Sequence, residues 1–372
     1  MISLELWNPA GSYRYRSIEA EVEALRFGTM LGIGFSECSF TVRRDPRRYH
    51  DDLKPTNRVV SRFGRRVAWL GEIIAPASQV QDSVTTPVEA DGLGYRLAAR
   101  ATTAAFSSGK ASSWITSNLL ADADLDYPAG TLDTDDFDFP FGVDLSPVSH
   151  YADALDKFNK ANGYFYGVWE DGFCWHPYPA TALYEVRAED ALYELDYSIE
   201  SIENCLLVSY TEDGSLYKYF WYPNTDMVGF SGEPAPDPVS AALYRRRDGV
   251  LPIQGKSTLA QAVATAAVAL AERKRMRPQT SFVVARVTDA TTGQLVPLPL
   301  VRAGGIVHIR DLYPRRISAA ERGVINELST FEIAETSYDV TSGLLTISPG
   351  TMGLMMAKML ARIEARTALE AA

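Results

Sequence analysis

The chain has 372 residues, of which 46% are hydrophobic, and its 47 Asp and Glu against 36 Lys and Arg give a formal net charge of −11. This length and apolar content predict two or more folded domains and exclude wholesale disorder. The excess of acidic residues argues against a protein that grips nucleic acid through its phosphates.

The cysteines Cys38, Cys174 and Cys205 are odd in number and far apart, and they form no C-x-x-C pair. We expect them to be buried small hydrophobic residues of a chain made in a reducing cytoplasm. Glu5 interrupts the only apolar start and no basic segment precedes it, so no signal peptide is predicted. No run approaches the roughly 18 apolar residues of a membrane span, and we expect a soluble chain without a membrane-spanning segment.

The N-terminal part of the sequence predicts strands over Ile2–Trp7, Glu19–Phe27 and Phe35–Arg43, followed by Asn57–Phe63, Arg65–Ile74 and Val84–Leu93. In the second group, bulky apolar residues at odd positions alternate with charged residues at even ones, as in a half-buried strand. Gly64 is expected at a hairpin tip, because a tight turn needs a residue that tolerates positive φ. Pro76 ends the strand before it by removing a backbone donor. This stretch therefore predicts part of a small antiparallel barrel.

A short helix is predicted over Lys110–Leu120, with Trp114 on its apolar side. An acidic segment follows, in which Asp122, Asp124 and Asp126 have the spacing of a calcium loop. The sixth position of such a loop should be glycine and is Tyr127. We therefore expect an exposed acidic loop without a metal ion.

An αββ unit, rich in aromatic residues, comes next. Ser146-Pro147 predicts the start of its helix and Asn162-Gly163 the end. The strands Tyr164–Trp169 and Phe173–Pro177 follow, joined by a hairpin turn. The unit is either a sugar-binding face that uses exposed rings such as Trp169 and Trp175, or the core of a small insert. Each strand must bury one face, which favours the core.

A further hairpin is predicted from Glu203–Tyr210 and Ser215–Trp221. Gly249–Ser257 nearly matches a nucleotide-binding P-loop, but it has five residues where the motif has four, and no buried strand stands just before it. The simpler interpretation is that Ser257 caps a helix with Leu259 and other apolar residues on one face. ATP binding is therefore not predicted.

The last part of the chain returns to strands, which are predicted over Phe282–Thr288, Leu295–Val301, Gly305–Arg310, Thr330–Thr336 and Leu344–Ser348. Residues 351–372 then predict a helix with a methionine-rich apolar stripe, which suits an imperfectly matched partner surface. Met355, Met359 and Ile363 on this stripe are candidate contact residues.

No catalytic residue, cofactor or metal ligand is predicted. The four histidines, His50, His150, His176 and His308, are scattered, and the sequence contains neither a zinc-protease motif nor a serine nucleophile elbow. Because function must be argued from a site and none emerges, we expect a protein that is not an enzyme.

A family resemblance rests on the stretch Tyr49–Arg96, which reads Y-x-x-D-L-x-x-T-N-R-V-V, then V-x-W-x-G-x-I, then an acidic strand that ends in G-x-G-Y. This order resembles the tail hub proteins of long-tailed, siphophage-type bacteriophages, which are minor tail or baseplate-hub proteins at the distal end of the tail tube. Later segments continue the resemblance, namely Asn162–Trp175, Asn204–Tyr210, Val301–Leu312 and Glu335–Leu344. It covers most of the chain.

The resemblance implies a mostly β chain with α inserts, in the α+β class, with two tail-tube-like β-barrel domains. The expected units are a first barrel over 1–105, an insert with the αββ unit over 106–200, a second barrel over 201–228 and 281–350, a helical insert over 229–280 and a C-terminal helix over 351–372. The structural core would comprise Val67, Trp69 and Tyr95 in the first barrel and Ile306, Ile309 and Leu312 in the second.

The implied role is that of a structural virion protein at the tail tip, made in the host bacterial cytoplasm. Three copies would form a ring whose six barrels match the sixfold tail. The expected partners are a distal tail protein or the tail tube above, the tape-measure protein in the lumen, and tail-tip or fibre proteins below, with phage DNA in transit. Two alternatives stay open, which are a carbohydrate-binding tail-tip adhesin that uses Trp169 and Trp175, and a cell-wall hydrolase.

Overall fold

A computed structural model describes residues 2–18, 21–43, 52–76, 85–120, 129–136, 138–139, 149–162, 164–192, 202–212, 216–224, 235–274, 281–311 and 329–350. Several predicted features lie outside these residues, namely the C-terminal helix with Met355, Met359 and Ile363, the residue Leu312, and the aspartates Asp122, Asp124 and Asp126. The described chain is mostly β with a few helices, which confirms the broad fold class predicted from the sequence.

The first seven strands are β1 (Ile2–Trp7), β2 (Arg14–Ser17), β3 (Val22–Met30), β4 (Gly34–Val42), β5 (Arg58–Phe63), β6 (Arg66–Pro76) and β7 (Thr86–Gly92). They pair antiparallel in the order β2–β1–β5–β6–β7–β4–β3. Gly64 joins β5 to β6 with φ +61°, which confirms the predicted hairpin tip. The sequence does not predict β2. All four of its residues are exposed, so the segment lacks the alternating apolar residues that indicate a half-buried strand.

These strands curl around a hydrophobic cluster, the first core, to which β1 contributes Leu4 and Leu6 and β6 contributes Trp69 and Ile73. The alternating apolar positions of each strand face this cluster, as a one-sided sheet requires. No ladder joins β1 to β3 among the described residues, because the outer edge of β3 pairs with a strand from the C-terminal part of the chain. The predicted first barrel is therefore not closed in this part of the structure.

The middle of the chain forms α1 (Tyr95–Ala99), β8 (Ala101–Thr102), β9 (Gly109–Lys110), α2 (Ala111–Trp114) with a π-helical continuation (Ile115–Leu119), β10 (Ala129–Leu132), β11 (Asp138–Phe139), β12 (Ser149–His150), α3 (Tyr151–Asn162), β13 (Tyr164–Trp169), β14 (Gly172–Pro177), β15 (Tyr184–Arg187), a 3-10 turn (Ala188–Asp190), β16 (Ala191–Leu192), β17 (Cys205–Glu212) and β18 (Leu216–Tyr222). The helix α3 starts at Tyr151, directly after β12. The start predicted at Ser146-Pro147 is therefore wrong, and those two residues lie outside the described ranges.

The last elements are α4 (Pro238–Tyr244), β19 (Asp248–Lys256), α5 (Leu259–Arg273), β20 (Phe282–Val284), β21 (Val287–Asp289), β22 (Leu295–Val296), a 3-10 turn (Leu298–Leu300), β23 (Ile306–Arg310), β24 (Thr330–Asp339) and β25 (Leu344–Pro349). β24 pairs with β23, with β25 and with β3, and so joins the two ends of the chain. Eighteen strands thus form one mixed sheet, and the described residues contain no closed second barrel.

The helices α1, α2 and α3, the hairpin β13–β14 and the C-terminal strands surround a second cluster, the central core. Its buried aromatic residues include Trp114, Phe158 and Trp175. The Trp114 and Phe158 rings meet edge to face at a centroid distance of 5.5 Å, a favourable geometry for aromatic pairs. The αββ unit therefore packs on its own helix, as the sequence predicts.

A separate three-stranded sheet is built from the hairpin β17–β18 and from β19, which runs parallel to β17. Its inner face packs against α5, and the buried contacts are Leu206, Val208, Tyr210, Phe220, Ala262, Ala266 and Leu270. The sequence interpretation places this hairpin at the start of a second barrel, but it pairs with none of the described strands of residues 281–350. It pairs instead with β19, which offers a strand edge from the segment predicted as a helical insert.

The near-match to a P-loop is strand β19, so its backbone is extended along β17 and does not wrap a phosphate. The helix after it begins at a capping box. Thr258 accepts a hydrogen bond from the backbone N–H of Gln261, and the Gln261 side chain accepts one from the backbone N–H of Thr258. The cap is therefore Thr258 and not Ser257, the residue predicted for it.

Asp237 connects the two helices of this unit. Its Oδ1 accepts a hydrogen bond from the backbone N–H of Ser240 in α4 at 3.0 Å, and its Oδ2 accepts one from Lys274 Nζ after α5 at 2.8 Å. Burial raises the pKa of Asp237, but the hydrogen bonds from Lys274 and Ser240 outweigh burial, so the net pKa is lowered. The charged form is therefore stabilised in the folded chain.

We expect Asp237→Ala to lower the free energy of unfolding by about 1–2 kcal/mol at neutral pH, because a helix cap is lost. A lowered pKa stabilises the fold only while the carboxylate is charged. The deficit of the variant should therefore shrink as the pH falls below the usual aspartate value of about 4. Urea unfolding of both proteins across this range measures it. Asp237→Asn keeps a capping acceptor and isolates the loss of the ion pair, and a deficit independent of pH would contradict the assignment.

Candidate functional site

The hairpin β13–β14 has two faces with different surroundings. Its strands pair in an unbroken antiparallel register, so the side chains alternate between the faces. On the inner face, Tyr166, Phe173 and Trp175 are buried in the central core. The outer face lines an open cleft with Phe165, Trp169, Cys174 and His176.

Trp175 lies where no sugar can reach it. Its side chain is 0% exposed, and its ring stacks on Tyr164 at a centroid distance of 5.3 Å. Trp169 lies on the opposite face of the hairpin and is only partly buried. The adhesin alternative is therefore wrong in its use of Trp175, because strand alternation turns that side chain inward.

The other wall of the cleft is the turn Arg302–Gly305 before β23, together with Tyr184 of β15. Both glycines of this turn lie so close to a neighbouring aromatic ring that a larger residue would clash. A Cβ on Gly304 would lie 2.9 Å from the Phe165 ring, and one on Gly305 would lie 2.6 Å from the Tyr184 ring. The cleft encloses about 500 Å³, which falls within the range of about 300–1,000 Å³ for ligand sites.

Arg302 lies at the mouth of the cleft in a fixed orientation. Its guanidinium carbon is 4.9 Å from the centroid of the Trp169 ring and 5.5 Å from that of Phe35, which are cation–π distances. Its Nη2 donates to both carboxylate oxygens of Glu170 at 2.6 Å. Its backbone N–H donates to the Tyr184 hydroxyl at 3.4 Å. Stacking and pairing together hold the guanidinium plane in place.

A second cavity of about 500 Å³, the arginine pocket, shares Arg302 with the cleft. Its lining comprises Arg65, Arg66, Val67, Glu170, Leu300 and Arg302. Arg65 and Arg66 follow the hairpin tip at Gly64 and are exposed, and neither forms an ion pair with a described residue. Three guanidinium groups face one carboxylate, so the arginine pocket carries a net positive charge.

Two ionisable groups of the cleft, Cys174 and Tyr184, have raised pKa values. Burial raises the pKa of the Cys174 thiol to about 11, so the thiol stays protonated near neutral pH. Burial also raises the pKa of the Tyr184 hydroxyl. Neither group is therefore an activated nucleophile or a general base.

Among the described residues, no group of three or more His, Cys, Asp or Glu side chains could hold a metal ion. Cys38, Cys174 and Cys205 are buried and free, which confirms their predicted character. In the ranges that the structure describes, no helix is both long enough and apolar enough to span a bilayer.

The residues predicted for the two barrel cores occupy different positions. Trp69 is fully buried in the first core, and Val67 packs against that core while partly exposed. Tyr95 lies in α1 and packs in the central core rather than the first, because the chain leaves the sheet after β7. Ile309 is buried in the central core, whereas Ile306, at the start of β23, is half-buried.

The sequence interpretation misses most residues of the site, including the ion pair of Arg302 and Glu170. These two residues are 132 positions apart, and no local pattern connects them. The glycine pair before β23 is the nearest signal, since two adjacent glycines indicate a close approach of the backbone to other groups. The alternation of side chains along the two paired strands of the hairpin would have placed Trp169 and Trp175 on opposite faces.

Among solved structures, three tail proteins share the overall fold. A tail protein from Neisseria meningitidis is 11% identical over 95% of this chain and 98% of that chain, with a TM-score of 0.60. A 43 kDa prophage tail protein from Shewanella oneidensis is 12% identical over 95% of this chain and 99% of that chain, also with a TM-score of 0.60. A prophage tail protein from Listeria monocytogenes is 11% identical over 98% of this chain and 99% of that chain, again with a TM-score of 0.60.

No protein-family model matches the chain, and no curated protein matches it by sequence. At such low identity, structural similarity shows a common fold and leaves activity to be argued from the site. Over nearly its whole length, this chain therefore has the fold of these three tail proteins.

Proposed function

We propose that the chain is a structural protein of a phage tail and forms the hub at the distal end of the tail tube. The observation that carries this proposal is the fold shared with three tail proteins over 95–98% of the chain. The likeness spans both the N-terminal and the C-terminal strands, so it concerns the architecture as a whole.

In the proposed hub, three copies form a ring, and each copy contributes two tube-like halves to match a sixfold tube. Two features support it. The first core and the central core are separate clusters, and β24 joins them by pairing with β3. Among the described residues, β2 pairs only with β1, and a neighbouring subunit would cover such a strand edge, which otherwise invites aggregation. The domain boundaries predicted from the sequence are part of this proposal, except that the hairpin β17–β18 groups with β19 and α5 and not with residues 281–350.

The proposed partners are the tail tube or a distal tail protein above, the tape-measure protein in the lumen and tail-tip or fibre proteins below. Phage DNA would cross the ring only during ejection, and a net charge of −11 suits a wall that DNA passes without sticking. The proposed location is the tail tip of the virion, after synthesis in the bacterial cytoplasm. In the predicted C-terminal helix, Met355, Met359 and Ile363 are the proposed contact residues.

We expect three copies per virion, placed on the tail axis at the distal end of the tube. Electron microscopy of virions that carry a labelled chain locates it, and quantitative mass spectrometry of virions counts it. Light scattering of the purified chain with tail-tube protein should give complexes that contain three times its 41.0 kDa mass. A position off the tail axis, or a copy number other than three, would overturn the hub assignment.

A further inference from the structure

Arg302 lines both the cleft and the arginine pocket, so the two cavities form one joint site around a single guanidinium group. In the cleft, Phe165, Trp169 and Tyr184 are all partly exposed and present aromatic rings. In the arginine pocket, Arg65 and Arg66 present positive charges that no described residue neutralises. Apolar ring faces therefore lie beside an excess of positive charge.

The guanidinium groups of Arg65, Arg66 and Arg302 outnumber the carboxylates of Glu170 and Asp171, so the joint site has a net positive charge that favours an anionic occupant. Glu170 is already paired with Arg302 through both carboxylate oxygens, so it does not neutralise Arg65 and Arg66. Arginine side chains bind carboxylate and phosphate groups through paired hydrogen bonds. An occupant with such groups would therefore find complementary donors in the arginine pocket.

The strand pairing argues against an extended peptide as the occupant. A peptide of this kind gains much of its affinity from hydrogen bonds to a free strand edge. Around the cleft, β14 pairs with β13 and β10, and β23 pairs with β15 and β24. The walls offer ring faces and side-chain donors instead. The aromatic ring faces suit the apolar C–H faces of sugar rings, and the side-chain donors suit acidic substituents.

We propose that this joint site binds an acidic sugar chain, with sugar rings packed against the exposed parts of Trp169 and its aromatic neighbours and with carboxylate or phosphate groups paired to Arg65 and Arg66. Asp171 and His176 at the rim supply polar groups for sugar hydroxyls. The inference goes beyond the proposed tail role. It concerns a surface of the single chain, so it holds or fails independently of ring formation.

The test is isothermal titration of the purified full chain with four oligosaccharides. Tetragalacturonate carries carboxylates, and its methyl ester is the neutral match. Phosphorylated maltotetraose carries phosphate, and maltotetraose is the neutral match. We expect at least one acidic probe to bind about tenfold or more tighter than its neutral match, and tightest at low salt. The preferred acidic probe tells carboxylated from phosphorylated chains.

The variant Arg65→Ala/Arg66→Ala should weaken binding of the acidic probe about tenfold and flatten its salt dependence. Both side chains are exposed, so this variant should fold. Trp169→Ala should weaken binding of the same probe by a similar factor, while Tyr217→Ala in β18 and Arg246→Ala just before β19 should not. These controls remove an exposed aromatic ring and an exposed arginine away from the joint site.

Three outcomes would overturn the proposal. One is that the wild type binds neither acidic probe. Another is that hexaglutamate binds as tightly as the acidic sugars and ignores Trp169→Ala, which would indicate an acidic peptide partner. The third is that the control variants lose as much affinity as the variants of the joint site.

Discussion

Replacing Trp175 with alanine is expected to lower the free energy of unfolding by about 3–5 kcal/mol, the cost of truncating a buried large aromatic side chain. Trp175 is 0% exposed, and its ring contacts those of Tyr164 and Tyr166. The cavity left behind would lie in the central core, where close-packed neighbours fill it only partly. Urea unfolding followed by far-UV circular dichroism measures the loss.

Trp169→Ala is the matched control, because it removes the same side chain from the opposite face of the same hairpin. Its ring is partly exposed in the cleft, and we expect it to lose only about 1 kcal/mol. Equal losses for the two variants would contradict the assignment of the hairpin faces. A folded Trp175→Ala protein of unchanged stability would reopen a surface role for that residue.

Local patterns in the sequence predict many strands but fail where other forces decide. The alternation of valine and arginine around Gly64 predicts β5 and β6 within two residues of their ends. In contrast, Phe282–Thr288 is predicted as one strand and forms two, because β20 pairs with β25 while β21 pairs with β15. Leu295–Val301 is predicted as a strand, but the observed strand stops at Val296. Pro297 and Pro299 have no backbone N–H to donate to a neighbouring strand.

Strand partners are harder to predict than strands, because pairing joins distant segments. Thr29 and Thr336 are 307 positions apart, yet their hydroxyls lie 2.6 Å from each other in the buried joint between β3 and β24. Nothing in the pattern of either strand specifies this partner. The same limit applies to the joint site. Its aromatic side follows from alternation along one hairpin, whereas its charged side depends on the tertiary contact of Arg302 with Glu170.

Gly34→Ala is expected to destabilise the chain by about 3–5 kcal/mol or to prevent folding, which places it among the exceptional substitutions. Gly34 pairs with Val168 where β4 meets β13, and so connects the first core to the αββ unit. A Cβ at Gly34 would lie 2.1 Å from the carbonyl oxygen and 2.4 Å from the nitrogen of Val168. Both atoms belong to the backbone, so no side-chain rearrangement relieves the clash. Thermal unfolding of the purified variant measures the effect.

Gly64→Ala separates this clash from backbone strain. Gly64 has φ +61° and Gly34 has φ +91°, so alanine is unfavourable at both positions, by about 1–2 kcal/mol. A Cβ at Gly64, however, meets nothing within 4 Å. The excess loss of Gly34→Ala over Gly64→Ala therefore measures the contact between β4 and β13. If the two variants lost the same stability, the connection between the first core and the αββ unit would have to be looser than the β4–β13 register indicates.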